Sequence, residues 1–234
     1  GPQGFLLEQC NLYRANLRGA HLYGIRIKGG SLMKADVSDA NLHCAELHDV
    51  NLLGIRWKNT RLDNLDTGRR LMQDRKGRSE RDPVQARVWF KEAEETYRDL
   101  RKASEAQGIF TMSGRYIQQE LTMRRLQMPF WSYHRFASWI VDLFCGYGEA
   151  PMRVVLFSLL LIFICSIFYF FCGLNFAGNH LIYRPEATLE ENATFLLECL
   201  YYSVVTFTTL GYGDFTPVGL SRIFAAFEAF TGSF

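Results

Sequence analysis

Seven consecutive residues near the C-terminus bear most directly on chemistry: Thr208-Thr209-Leu210-Gly211-Tyr212-Gly213-Asp214. Two threonines open the run, an aspartate closes it, and glycine alternates with bulkier residues between them. Alternating glycines let a backbone adopt angles closed to other residues, so that successive carbonyl oxygens can be turned to one side. The pattern points to a special backbone geometry and not to a set of catalytic side chains. Elsewhere there is no Ser/His/Asp set, no phosphate-binding glycine loop and no CxxC pair among the six cysteines. His43 and His48 take equivalent outward positions in successive five-residue units, with Cys44 beside the first. Solvated surface residues are a simpler reading of that trio than a metal site. The chain reads as a non-enzyme.

The run resembles the signature of potassium channels, usually T-T-V-G-Y-G-D, with Leu210 in the place of the valine. The likeness extends over residues 151–234, a span, pore helix, filter and second span, and implies an all-α two-transmembrane channel pore. A potassium ion entering a bilayer must shed its water, at a cost that no apolar side chain can restore. The resemblance implies that the carbonyls of Thr209, Leu210, Gly211 and Tyr212, with the Thr209 hydroxyl, replace that water, and that Gly211 and Gly213 supply the unusual angles. Potassium ions in the filter are then the bound species, and no organic cofactor is implied. Irregular backbone at this depth is tolerated because it lines a hydrated pore. One chain supplies one wall, so a homotetramer must close the ring.

The same resemblance names supports for the filter. Thr208 precedes the ion sites. Tyr201 and Tyr202 stand where many channels carry Trp-Trp; Tyr201 is expected to hydrogen-bond Asp214, and Tyr202 to pack on Tyr212. Glu228 is an ionisable residue at membrane depth and functional by default, expected to be buried against Ser203 or Thr206. Gly232 falls where a gating hinge is placed in the family; close helix packing explains it equally well.

Elements to position these residues can be read around them. Val154 to Cys172 is 19 residues without a charge, about 28 Å of helix and close to the bilayer core. The expected first span is 152–173, the pore helix 195–207, the filter 208–214, and the second span begins at 219. Leu220 to Phe234 is 15 residues, about 22 Å of helix and too short to cross, so the chain is expected to stop inside its second membrane helix. Residues 129–150 place Phe136, Trp139, Ile140, Leu143 and Phe144 on one apolar face, and Trp, Tyr and Arg beside a span mark a helix lying on the cytoplasmic membrane surface. Asp82-Pro83 starts an α-helical hairpin over 82–128 that turns at Gly108, with Ile117 and Leu121 inward. Residues 68–81 read as a polar linker.

The N-terminal 1–67 is repetitive. Its central apolar residue recurs every five positions: Leu7, Leu12, Leu17, Leu22, Ile27, Leu32, Val37, Leu42, Leu47, Leu52, Trp57, Leu62. A period of five suits neither a helix nor a strand. The pattern resembles the pentapeptide repeat family, A-(D/N)-L-x-x, which implies a right-handed quadrilateral β-helix of about three coils. Leu17, Val37 and Trp57 then share one column. Val50, Ile55, Trp57 and Thr60 are bulky for the pattern, so the third coil is expected to be distorted or capping. Some members of this family mimic DNA, which requires an acidic surface; residues 1–67 hold 8 basic and 7 acidic residues. No nucleic-acid partner is expected.

Composition agrees with a multidomain membrane protein. Residues 1–153 hold 24 of the 26 Lys and Arg, whereas 16 of the 19 Phe lie at or after Phe130. Arg124, Arg125, Arg135 and Arg153 precede the first span and place the N-terminal region in the cytoplasm. The expected protein is a potassium-selective channel that conducts passively as a homotetramer in the cell membrane, the inner membrane of a bacterium. It would be multi-pass, with the repeat domain serving assembly or gating. The alternatives are a non-selective cation channel and a membrane-anchored scaffold or sensor with a cytoplasmic ligand or protein partner. Regular arginines in a spanning helix are lacking, so no voltage sensor is expected.

Overall fold

The computed structural model describes residues 4–148, 151–176 and 178–233. Residues 1–3 of the expected repeat, residues 149–150 and 177, and Phe234 of the expected second span lie outside the described residues. The chain forms two compact units, Gly1–Ala150 and Pro151–Phe234.

In the first unit, strands β1 (Leu6–Glu8), β2 (Arg26–Lys28) and β3 (Glu46–His48) pair in parallel. Leu6 faces Arg26 and Arg26 faces Glu46, so the chain rejoins its own register every 20 residues. The bridges Asn16–Asp36, Asp36–Arg56 and Glu46–Asp66 repeat that offset on other sides of the stack. The corners explain the period of five. Every fifth residue from Gln9 to Asn64 has positive φ, with glycine at Gly19, Gly24, Gly29 and Gly54 and other residues, such as Asp39 and Asn59, between. Asp and Asn tolerate this left-handed geometry better than most. Asn11, Asn16, Ser31, Asp36, Asn41 and Asn51 each accept the backbone N–H two residues on, which holds the turns. The central leucines and the small residues Ala35, Ala40 and Ala45 are buried between coils.

The third coil is not distorted. Asp36–Arg56, Asn41–Arg61 and Glu46–Asp66 stay in register. Its bulk fits because the interior leaves about 140 Å³ of apolar space that Trp57, Val37 and Leu17 line. Thr60 is fully buried, with its hydroxyl donating to Val37 O at 2.8 Å. The expected linker is also replaced by structure. Helix α1 (Met72–Ser79) buries Met72, Gln73 and Asp74. Its polar residues can go inside because Gln73 Nε2 donates to Asn51 Oδ1 at 2.8 Å, while Asp74 accepts from Arg78 Nε at 2.6 Å and from the Tyr97 hydroxyl at 3.3 Å.

Helices α2 (Pro83–Ala106) and α3 (Phe110–Gln127) form a hairpin on the coil. Asp82 caps α2, its carboxylate accepting the N–H groups of Val84 and Gln85. Gln107 at the end of α2 accepts the Leu62 N–H at 3.0 Å and donates to Thr60 O, which satisfies backbone groups of the last coil. The inward face of α3 is Ser113, Tyr116, Glu120 and Met123; Ile117 and Leu121 are only half-buried. Glu120 sets that face by accepting from Arg98 Nε at 3.0 Å and Arg101 Nε at 2.8 Å across the hairpin. Helix α4 (Tyr133–Cys145) follows, and a single 3-10 turn, Gly146–Gly148, closes the described part of this unit.

The second unit opens with α5 (Pro151–Cys172), the one helix among the described residues long and apolar enough to cross a membrane. Strand β4 (Leu174–Phe176), β5 (Asn179–Leu181), α6 (Leu189–Phe207), β6 (Phe215–Pro217) and α7 (Ser221–Gly232) complete it. The three strands form one antiparallel sheet in the order β5-β4-β6. Helix α6 starts six residues before the expected 195 because Thr188 and Glu191 make a capping box. The Thr188 hydroxyl accepts the Glu191 N–H at 3.3 Å, and the Glu191 carboxylate accepts the Thr188 N–H at 3.0 Å. The core between the helices holds Cys165, Tyr169, Leu174, Phe195, Cys199 and Tyr202.

Candidate ion-conduction site

Helix α6 delivers the Thr208–Asp214 run. The Thr208 hydroxyl donates to Val204 O at 2.7 Å, and the N–H groups of Thr209 and Leu210 bond to Thr206 O and Val205 O at 3.0 Å each. From there the backbone alternates: φ is +56° at Thr209, +56° at Gly211 and +80° at Gly213. The sequence placed unusual angles on the two glycines alone. Thr209 shares them, and for a β-branched residue that is real strain, held by the turn bonds around it. Alternate residues in left-handed conformation are what a row of carbonyls turned to one side requires.

The run from Thr209 to Asp214 is exposed on the single chain, Leu210 at 61% and Tyr212 at 68%. A cavity of about 340 Å³ opens beside it, lined by Tyr202, Val205, Thr209, Gly211, Asp214 and Ala229 among others. The far end of the run is anchored. Asp214 Oδ1 accepts the Phe215 N–H at 3.0 Å, and β6 pairs with β4 through Phe176–Phe215 and Leu174–Pro217. The segment is thereby tied one residue past Asp214 to the chain leaving α5.

The supporting side chains divide. The Tyr201 hydroxyl faces the Asp214 carboxylate, and its ring meets Phe215 edge-on at 6.0 Å. Tyr202 does not pack on Tyr212 within the chain; it is buried edge-on against Tyr169 at 4.9 Å, because α5 rather than the filter covers that face of α6. Glu228 on α7 is fully buried. Its Oε2 accepts from the Tyr169 hydroxyl at 2.5 Å, and its Oε1 meets Ser203 Oγ, which also lies 2.9 Å from Ile162 O. One carboxyl thus joins α5, α6 and α7. Tyr169 was missed by sequence reasoning, yet a signal existed: a hydroxyl in an otherwise apolar span needs a partner. Gly232 has ordinary helical geometry. A Cβ there would fall 1.9 Å from Phe207 O, so the glycine is required where α7 seats against the end of α6.

His43 and His48 face Asp63 at 3.8 Å and Asp66 at 3.0 Å. No group of His, Cys, Asp or Glu suited to a metal occurs among the described residues.

Residues 156–234 match the ion channel family. Most of the C-terminal unit is thus similar to ion channels. Residues 3–32 match the family model of pentapeptide repeats, so the chain joins a pentapeptide repeat to a region similar to ion channels. An ion channel acts in a membrane, and α5 is suited to cross one. Among curated proteins nothing matches the chain. Among solved structures it is similar to the crystal structure of a pentapeptide repeat protein, Rfr23, from the cyanobacterium Cyanothece 51142. The identity is 31%, over 27% of this chain and 44% of that one, with a TM-score of 0.27. The match thus spans less than half of that protein.

Proposed function

We propose that the chain is one subunit of a homotetrameric, potassium-selective channel that conducts passively. The observation that carries this reading is the alternation of left-handed backbone at Thr209, Gly211 and Gly213 in an exposed run. Carbonyls of Thr209, Leu210, Gly211 and Tyr212 with the Thr209 hydroxyl would take the place of the ion's water. Four copies are needed to surround an ion, and exposure of Leu210 and Tyr212 beside an open cavity supports neighbours that cover them. Thr208, Tyr201, Asp214 and Glu228 hold the run in place.

In the same reading the repeat is a right-handed quadrilateral β-helix, cytoplasmic, serving assembly or gating. The channel is multi-pass in the cell membrane of a bacterium. Phe130, Trp131 and Tyr133, exposed at 75%, 94% and 78%, support an α4 region lying at the bilayer interface.

Assembly is testable first. Light scattering on detergent-solubilised protein, corrected for bound detergent, is expected to give about four times the chain mass of 27.0 kDa. A particle of one or two chains at concentrations where conduction is observed would refute the ring.

A further inference from the structure

Conduction makes no use of a cavity of about 510 Å³ on the N-terminal unit, lined by His48, Asp49, Thr67, Gly68, Arg69, Arg70 and Arg75. Its volume is within the range of small-molecule sites, about 300–1,000 Å³. Gly68 makes the turn that brings the arginines there. Its φ of +75° is left-handed, which glycine alone adopts freely. Asp66 Oδ1 accepts its N–H at 2.8 Å, and the Arg115 guanidinium donates to its carbonyl. The corner of the cavity is therefore fixed on both sides.

Charge in the cavity is unbalanced. Asp49 pairs with Arg75 at 2.7 Å, and Asp66 is engaged by His48 at 3.0 Å. Burial works to raise the Asp66 carboxyl, but the Gly68 N–H, His48 and Arg115 together bring it below its ordinary value, so it stays ionised at neutral pH beside them. Arg69 and Arg70 are exposed and make no ion pair among the described residues, whereas Arg18, Arg56 and Arg61 on the coil each meet an aspartate. Against three lining arginines the cavity sets one lining carboxylate. Guanidinium forks match the oxygens of a phosphate two at a time and hold their charge at any physiological pH.

We propose that this cavity binds a small, soluble, phosphate-bearing anion, with Arg69 and Arg70 as its principal contacts. The ligand would bridge the third coil, through His48 and Asp49, to α1, through Arg75. Helix α1 in turn packs on α2, where Gly77 lies against Phe90. Binding would stiffen the junction between repeat and hairpin. Any effect of the ligand on conduction rests on the channel reading above; the binding claim does not, and the two are measured separately.

The test is calorimetric titration of the full chain in detergent with sodium pyrophosphate, and in parallel with dihexanoyl phosphatidic acid as a lipid headgroup. Pyrophosphate is expected to bind saturably. Affinity should fall at least tenfold in the Arg69→Ala/Arg70→Ala double variant and less in Arg69→Lys/Arg70→Lys, which keeps charge but loses the fork. Both side chains are exposed, so circular dichroism of the variants should match the parent. Absence of saturable binding, equal affinity in the alanine variant, or binding of the phosphatidate with none of pyrophosphate would overturn the proposal. Potassium flux with and without pyrophosphate then reads regulation alone.

Discussion

Gly211→Ala is expected to cut potassium flux by more than a hundredfold while the protein still folds and assembles. The effect comes from the backbone, not from crowding: a Cβ at Gly211 meets nothing within 4 Å, but φ is +56°. An L-residue pays ~1–2 kcal/mol to stay left-handed, and four chains must do so together to keep one ring of carbonyls aimed at the ion. At about 1.4 kcal/mol per factor of ten, the aligned ring becomes a minor population. Gly108→Ala is the control. Its φ is +70° and it too has open space around it, yet it sits in the α2–α3 turn of the first unit. It should suffer similar local strain and leave flux unchanged. Parent-like flux in Gly211→Ala, read from liposomes with tetramer mass confirmed, would remove the filter assignment. Thr209→Ala keeps the strained φ and loses the hydroxyl, so a smaller loss is expected there.

The Glu228 series carries the second large effect. Ser203 has one hydroxyl hydrogen and two acceptors within reach, Ile162 O and Glu228 Oε1. Ser203 therefore gives its hydrogen to one of the two at a time, while Tyr169 donates to Oε2 and the Cys165 thiol also faces the carboxyl. Glutamine fits the cluster: with the Ser203 hydrogen on Ile162 O its amide donates to Ser203 Oγ, and its oxygen accepts from Tyr169. Glu228→Gln is therefore expected to stay near the parent in thermal stability of the assembled protein. Glu228→Ala strands the buried Tyr169 hydroxyl and leaves a void, a loss of about 2–5 kcal/mol. It should also loosen α7 from α6 and lower conduction. Alanine matching the parent, or glutamine doing as much damage as alanine, would contradict this account of the cluster.

Legibility in the sequence followed locality. The five-residue repeat was plain because each corner is made by its own pentapeptide: a left-handed residue, a side chain bonding two residues on, and an apolar residue between. The Thr208–Asp214 run was plain for the same reason. Helix α1 was hidden because Gln73 and Asp74 are polar, and what permits their burial lies far away at Asn51 and Tyr97. The inward face of α3 was misjudged by one step because Glu120, a charged residue, faces in to meet two arginines of α2. The β4–β6 pairing joins residues about forty positions apart in strands of three residues, too short to show a period. The early start of α6 could have been read, since Thr188 and Glu191 have capping-box spacing. Strain at Thr209 could not, because threonine is among the residues least suited to positive φ.

The central claim is that oxygens of Thr209 to Tyr212 select potassium. It is tested most directly by the bi-ionic reversal potential of the reconstituted protein, with potassium on one side of the bilayer and sodium on the other. The account predicts a potential displaced toward that of potassium, corresponding to a permeability ratio of at least about ten, or ~59 mV. A reversal potential at zero, with currents carried equally by both ions, would contradict it.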